Sequence, residues 1–182
     1  MGEKTPTDEL RDEHEHARAA IAGLQRKIEA FCASPDSSRP EVAGDLRNDL
    51  DQLSRSLLLH FRKEEEGLFP ELRQMVSKGA PRVDILGNFF GEEADDDLKA
   101  HYLLRSRLRQ LPELLDAADK PGGMDAETSG RLRGLTEATR DLLQRHVDKE
   151  HQLVFPMIER LLAPQQMAAA GQRMRALETE CG

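Results

Sequence analysis

A chain of 182 residues suits one domain, 1–182, with a sizeable core. Hydrophobic residues at 38% and charged residues at 33%, with no Trp, one Tyr and few β-branched residues, leave little to build a sheet from and point to an all-α protein. A formal charge of -8 disfavours nucleic acid, whose phosphates call for Lys and Arg, and no apolar run approaches the roughly 20 residues that span a bilayer, so neither a nucleic-acid nor a membrane partner is expected.

Thr5-Pro6-Thr7-Asp8 supplies a cap, a proline at the first helical position and an acid in the first turn of a first helix. Its stripe, Leu10, His14, Ala17, Ile21, Leu24, Ile28 and Phe31, alternates steps of four and three, the spacing of a bundle helix. One member of that apolar stripe is a histidine. After a loop from Ser34 to Pro40, Ser38-Arg39-Pro40-Glu41 reads as a capping box that starts a second helix. The second stripe, Leu46, Leu50, Leu53, Leu57, His60 and Glu64, turns polar after Leu57. Glycines and acids between Ser77 and Asp97 obscure the start of a third helix, with a short helical turn expected near Val83 to Leu86. From His101 the pattern is clear, because His101, Leu104, Leu108, Leu111 and Leu115 share a face until DKPGGMD ends the run. The fourth helix is expected to turn Leu135, Leu142, His146, Glu150, Leu153 and Met157 inward, and a short helix over about 164–180 follows Pro164. The N-terminal MGEKTPTDEL lacks the apolar centre of a secretory signal, so a cytoplasmic protein is expected. Cys32 and Cys181 lie far apart and read as two free thiols.

The polar ends of the second and fourth stripes repeat one another. HFRKEEEGLFPEL, from His60, and HVDKEHQLVFPMI, from His146, share His, Lys, Glu, Phe and Pro at the same offsets. His101 follows His14 by 87 residues and His146 follows His60 by 86, so the chain reads as two similar helical hairpins in an up-down four-helix bundle, with its core at about 8–162. His14, His60, His101, His146, Glu64 and Glu150 would then meet on the bundle axis. One inward His is an ordinary core residue, and one His-x-x-x-Glu is an ordinary helix pair. Two such pairs, each continuing an apolar stripe, are not explained by solvation, since an unpaired buried carboxylate is strongly unfavourable and a dication is its usual compensation. Residues four apart lie one above the other, so each pair presents an imidazole to one metal and a carboxylate that reaches a second. A dinuclear centre is expected, and imidazole with carboxylate but no thiolate suits iron, manganese or zinc. The ferritin-type Glu-x-x-His occurs only as Glu13-x-x-His16, off the inward stripe, and is set aside. Pro70 and Pro156 are expected to kink their helices beyond the metal, Phe69 and Phe155 to pack the wall, Glu65 and Glu66 to face solvent, and His16 and His151 to lie at the surface, His151 as a neighbour of Glu150.

On these residues the chain resembles the hemerythrin-like family, also called the HHE cation-binding domain, over roughly residues 8–162. The resemblance implies a four-helix bundle holding two iron ions under an oxo or hydroxo bridge, with manganese or zinc as alternative occupants. His14, His60, His101 and His146 would be terminal ligands, and Glu64 and Glu150 would bridge. Oxygen-carrying members have a fifth histidine four residues after the one on the third helix. Here that place is Arg105, and the set is similar to that of di-iron proteins linked to iron-sulfur cluster repair under nitrosative and oxidative stress. Two six-coordinate irons offer about twelve positions, of which these groups and the bridge fill about ten, leaving about two for a small ligand. The leading expectation is a protein that binds or reacts with oxygen, peroxide or nitric oxide in sensing or stress response. Its alternatives are a peroxide-consuming oxidoreductase or iron donor for cluster repair, and a metal-free structural bundle.

Overall fold

A computed structural model describes residues 4–34, 39–77, 83–120 and 122–181, and among these there are helices but no strand. The helices are α1 (Pro6–Ala33), α2 (Arg39–Arg62), α3 (Phe69–Ser77), α4 (Val83–Ala118), α5 (Ala126–Lys149), α6 (Phe155–Leu161) and α7 (Pro164–Cys181). A π-helical turn, Lys63–Leu68, joins α2 to α3, and a second, Glu150–Val154, joins α5 to α6. No helix among the described residues is long and apolar enough to cross a membrane. The capping box expected at Ser38 and the side chain of Cys181 lie outside the described residues, whereas Cys32 is a half-buried free thiol.

The start of α1 follows from its sequence. Asp8 N–H donates to Thr5 Oγ1 and Thr5 N–H donates to Asp8 Oδ2, both at 3.2 Å, a reciprocal cap that leaves Pro6 where its missing N–H costs nothing. The stripes expected on α1, α2 and α4 are buried throughout. On α4 the helix reaches back to Val83, well before the clear pattern from His101. Gly87 and Gly91 each cost a helix about 1 kcal/mol and read as breakers, yet the Ile, Leu, Phe, Glu and Ala around them are compatible with helix.

The chain divides into two compact units. One comprises Glu15–Ser56 and Tyr102–Arg145 and is held at its surface by polar contacts around a ring of four helices. Lys27 pairs with Asp49 (α1 to α2), Arg47 with Asp116 and with Asp119 just past the helix end (α2 to α4), Arg107 donates to the Ala138 carbonyl (α4 to α5), and Arg133 pairs with Glu29 (α5 to α1). These are mostly exposed pairs that select partners more than they stabilise. The apolar stripes beneath supply the stabilisation.

The other unit comprises Met1–His14, Leu57–His101 and His146–Gly182. Its core is Leu10, Leu68, Phe69, Leu72, Val154, Phe155, Ile158, Leu162, Ala170 and Met174. Where kinks are expected, the chain forms π-helical turns. Phe69 N–H reaches back five residues to the Glu64 carbonyl, and Phe155 N–H to that of Glu150. Each Phe precedes a proline, which cannot donate and whose ring clashes with the carbonyl four residues earlier in an α-helix. Widening the turn before the proline relieves that clash without breaking the helix. The wider turn also shifts which residues face inward. Past Glu150 it is Val154 that is buried, while Leu153 is 36% exposed. Ahead of that turn, on α5, the buried positions include Leu132, Thr136, Thr139 and Leu143, with the expected Leu135 and Leu142 only half-buried, a difference in register that the turn does not cause. α7 lies on the first π-helical turn at Gly67, where an added Cβ would stand 2.6 Å from Met174 Cγ, and Arg173 donates to the Gly67 carbonyl at 2.9 and 3.1 Å.

Candidate metal centre

All six expected site residues fall within the second unit, and each is 3% exposed or less. α1 supplies His14, the last turn of α2 His60, α4 His101 and the last turn of α5 His146. The two π-helical turns supply Glu64 and Glu150. Glu64 Oε1 lies 3.2 Å from His60 Nε2 and Glu64 Oε2 lies 3.1 Å from His101 Nε2, so one carboxylate spans two histidines from different helices. Glu150 Oε2 lies 3.1 Å from His14 Nε2 and 3.5 Å from His146 Nε2 and does the same.

Two groups with the separations of metal ligands result: His14, His60, Glu64 and Glu150, and Glu64, His101, His146 and Glu150. Each has its own pair of imidazoles, and both carboxylates are common to the two. Both oxygens of Glu64, both oxygens of Glu150, and Nε2 of His14 and of His60 are buried without a hydrogen-bond partner. A folded core rarely leaves six such atoms together unsatisfied, and here they point at one another. The donor set therefore fits bound metal cations.

The outer nitrogens of the imidazoles are held from behind. His60 Nδ1 pairs with Glu13 Oε2 at 2.8 Å, His101 Nδ1 with Glu65 Oε1 at 2.7 Å, and His14 Nδ1 with His151 Nε2 at 3.0 Å. Asp97 Oδ1 stands 3.8 Å from His146 Nδ1, in position but beyond a hydrogen bond. Such partners fix ring orientation and leave Nε2 to face the centre. Phe155 stacks on His14 with ring centroids 5.6 Å apart, and Phe61 stacks on His101 at 4.2 Å.

The charge balance shows what the site demands. Desolvation, with a smaller contribution from neighbouring imidazoles, pushes His14 down to about 2, and desolvation pushes His146 down to about 3. Burial also opposes charge on His60, but Glu64 and Glu13 outweigh it and raise that imidazole to about 9. Burial opposes ionisation of Glu64, yet His60 and His101 hold it well below the ordinary carboxylate range. Glu150, desolvated and facing Glu64, is driven well above that range. With protons alone, only part of the cluster can carry its charge. Divalent cations would satisfy both carboxylates and all four imidazoles at once.

Several residues differ from expectation. Glu65 does not face solvent: the π-helical turn carries it toward His101, while Glu66 is exposed and pairs with Arg62. His151, half-buried, stands behind His14 rather than at the surface. Glu13, Phe61, Lys63 and Asp97 were not picked out by helical spacing. For Lys63 the signal was there, since Lys is among the residues common to the two copies of the motif.

The family model described as the Hemerythrin HHE cation binding domain matches residues 5–158. A search of curated proteins gave no match.

Proposed function

From the premise that the chain belongs to the hemerythrin HHE cation-binding domain family, we propose that His14, His60, His101, His146, Glu64 and Glu150 hold two iron ions that bind or react with a small oxidant, in sensing or stress response. The observation that carries this reading is the sharing of Glu64 and Glu150 between two His-containing groups whose ligand atoms are buried and unsatisfied. Iron, when bound, supplies Lewis acidity and electrons toward oxygen, peroxide or nitric oxide.

The chain's own residues set the terms of that chemistry. Glu13, Glu65 and His151 orient three of the four imidazoles through Nδ1. Phe61 and Phe155 cover His101 and His14 and keep bulk water from them. Full burial of the six restricts access to ligands of a few atoms. One turn beyond His101 stands Arg105, half-buried, where a further imidazole would have completed the set.

After anaerobic loading with ferrous iron, elemental analysis is expected to give about two irons per chain. Well under one would overturn the reading. Stopped-flow mixing of the ferrous protein with oxygen is expected to show net oxidation, whereas full recovery of the ferrous spectrum under vacuum would show reversible carriage instead.

The π-helical turn gives a sharper expectation. Glu65→Ala should weaken iron binding by about 10–100-fold through loss of the His101 partner, while Glu66→Ala leaves it unchanged. Competition with a chromophoric ferrous chelator measures both. Equal affinities for the two variants would show that the facing of this turn has been misread.

A further inference from the structure

Lys63 is an unusual residue to find in a core. Its side chain is 1% exposed, and its ammonium is surrounded by carboxylates from two other helices: Glu13 Oε1 at 2.5 Å and Glu9 Oε1 at 2.6 Å on α1, and Glu178 Oε1 at 2.5 Å on α7. One of those carboxylates has a second task, because the other oxygen of Glu13 meets His60 Nδ1 at 2.8 Å. Lysine, glutamate and histidine thus form a continuous line that begins and ends in the same helical turn.

The second copy of the motif has the same parts. Lys149 Nζ lies 3.1 Å from Asp97 Oδ1, and the same oxygen is the one that stands 3.8 Å from His146 Nδ1. In both copies the lysine is three residues after the histidine and one before the glutamate, in HFRKE and HVDKE. In both, it takes hold of a carboxylate from a different helix, and that carboxylate stands behind the histidine of its own copy.

We propose that Lys63 is a positioning residue of the metal centre, anchoring the Glu13 carboxylate that sets the orientation of His60. The physical reason lies in the geometry of a carboxylate. A glutamate hydrogen-bonded only to an imidazole keeps the freedom of its own rotamers, and the imidazole turns with it. An ammonium on its second oxygen removes that freedom. The spacing makes the device self-contained, since residues three apart share a helix face and one incoming carboxylate can meet both. In the second copy a single Asp97 oxygen faces both Lys149 and His146 and stands beyond hydrogen-bond reach of the imidazole, so the line is closed at His60 and open at His146.

The inference rests on the metal-binding reading above, and its test separates the two. Ferrous iron is titrated anaerobically into the full chain against a chromophoric chelator, for the unmodified protein, Lys63→Met, Glu13→Gln and the double variant. Failure of the unmodified protein to bind iron would sink the metal reading itself. With that binding established, Lys63→Met and Glu13→Gln are each expected to weaken it by about 10–100-fold, and the double variant no further than the weaker single, since both act through one contact on His60. Arg62→Gln removes the neighbouring positive charge, which pairs with Glu66 and Glu180, and should leave iron affinity within about twofold. Additive losses in the double variant, or an Arg62→Gln loss equal to that of Lys63→Met, would overturn positioning in favour of general electrostatics. Cobalt(II) loading adds a readout that a merely structural role would not move. The visible ligand-field bands are expected to shift in Lys63→Met and Glu13→Gln but not in Arg62→Gln. If Lys63→Met fails to fold because Glu9, Glu13 and Glu178 repel, Glu13→Gln decides alone, and unmodified affinity and spectrum in that variant would refute the proposal.

Discussion

Glu64→Ala and Glu150→Ala are each expected to retain less than about a tenth of the iron bound by the unmodified chain after anaerobic loading, by elemental analysis of the desalted protein. Each carboxylate belongs to both ligand groups, so its removal opens both metal positions, whereas each histidine belongs to one. His146→Ala should accordingly keep more iron than either glutamate variant. Loss of the fold is not the cause to expect. Glu150 is fully buried with unsatisfied oxygens and faces Glu64, so replacing it with a methyl group removes a desolvation cost, whereas Glu64 is favoured in its ionised form by His60 and His101. Helical circular dichroism should therefore be unchanged in both, with iron-free thermal stability equal or higher in Glu150→Ala. Iron contents near that of the unmodified chain would mean that neither carboxylate bridges. A fall in the iron-free stability of Glu150→Ala would mean that its present partners suffice without metal.

The largest effect on stability is expected at Phe155. Its ring is fully buried in the core with Leu10, Leu68, Ile158 and Met174, stacks on His14 with planes 10° apart, and lies under the Arg11 guanidinium at 5.3 Å. Phe155→Ala should cost about 3–5 kcal/mol in urea unfolding, the sum of lost transfer energy and an unfilled cavity. The midpoint should fall with the slope unchanged. His14 loses the surface against which its ring is held, so iron affinity should fall in the same variant. A cost under about 1 kcal/mol would show that the neighbours close the cavity and that the ring is not what holds this part of the core.

The second prediction shows how reading and structure divide the site. Phe155 and Phe69 could be assigned to the wall from their place in the repeated motif, and both are buried. Phe61, which stacks on His101, follows a candidate ligand directly and carries no periodic signal of its own. Glu65 and Glu66 are adjacent acids after the same histidine, and an α-helical wheel sends both outward. Only one of them goes. The same displacement puts Val154, not Leu153, in the core.

The sequence by itself determined the helical class, the apolar stripes of α1, α2 and the second half of α4, the duplication, and the six polar residues that converge. All of these depend on spacing within one helix, where a constant number of residues per turn converts position directly into direction. What only the tertiary structure decided includes the inward face of α5 and every place where that constancy fails. At the two π-helical turns the residues per turn change, and every assignment of facing after Glu64 and Glu150 moves with them. The partners behind the imidazoles were also beyond reach. Glu13 meets His60 across 47 residues of chain, and Glu65 meets His101 across 36. Such pairings depend on how far each helix is rotated about its own axis against its neighbour, and that rotation is set by the packing of whole side chains, which no local period records.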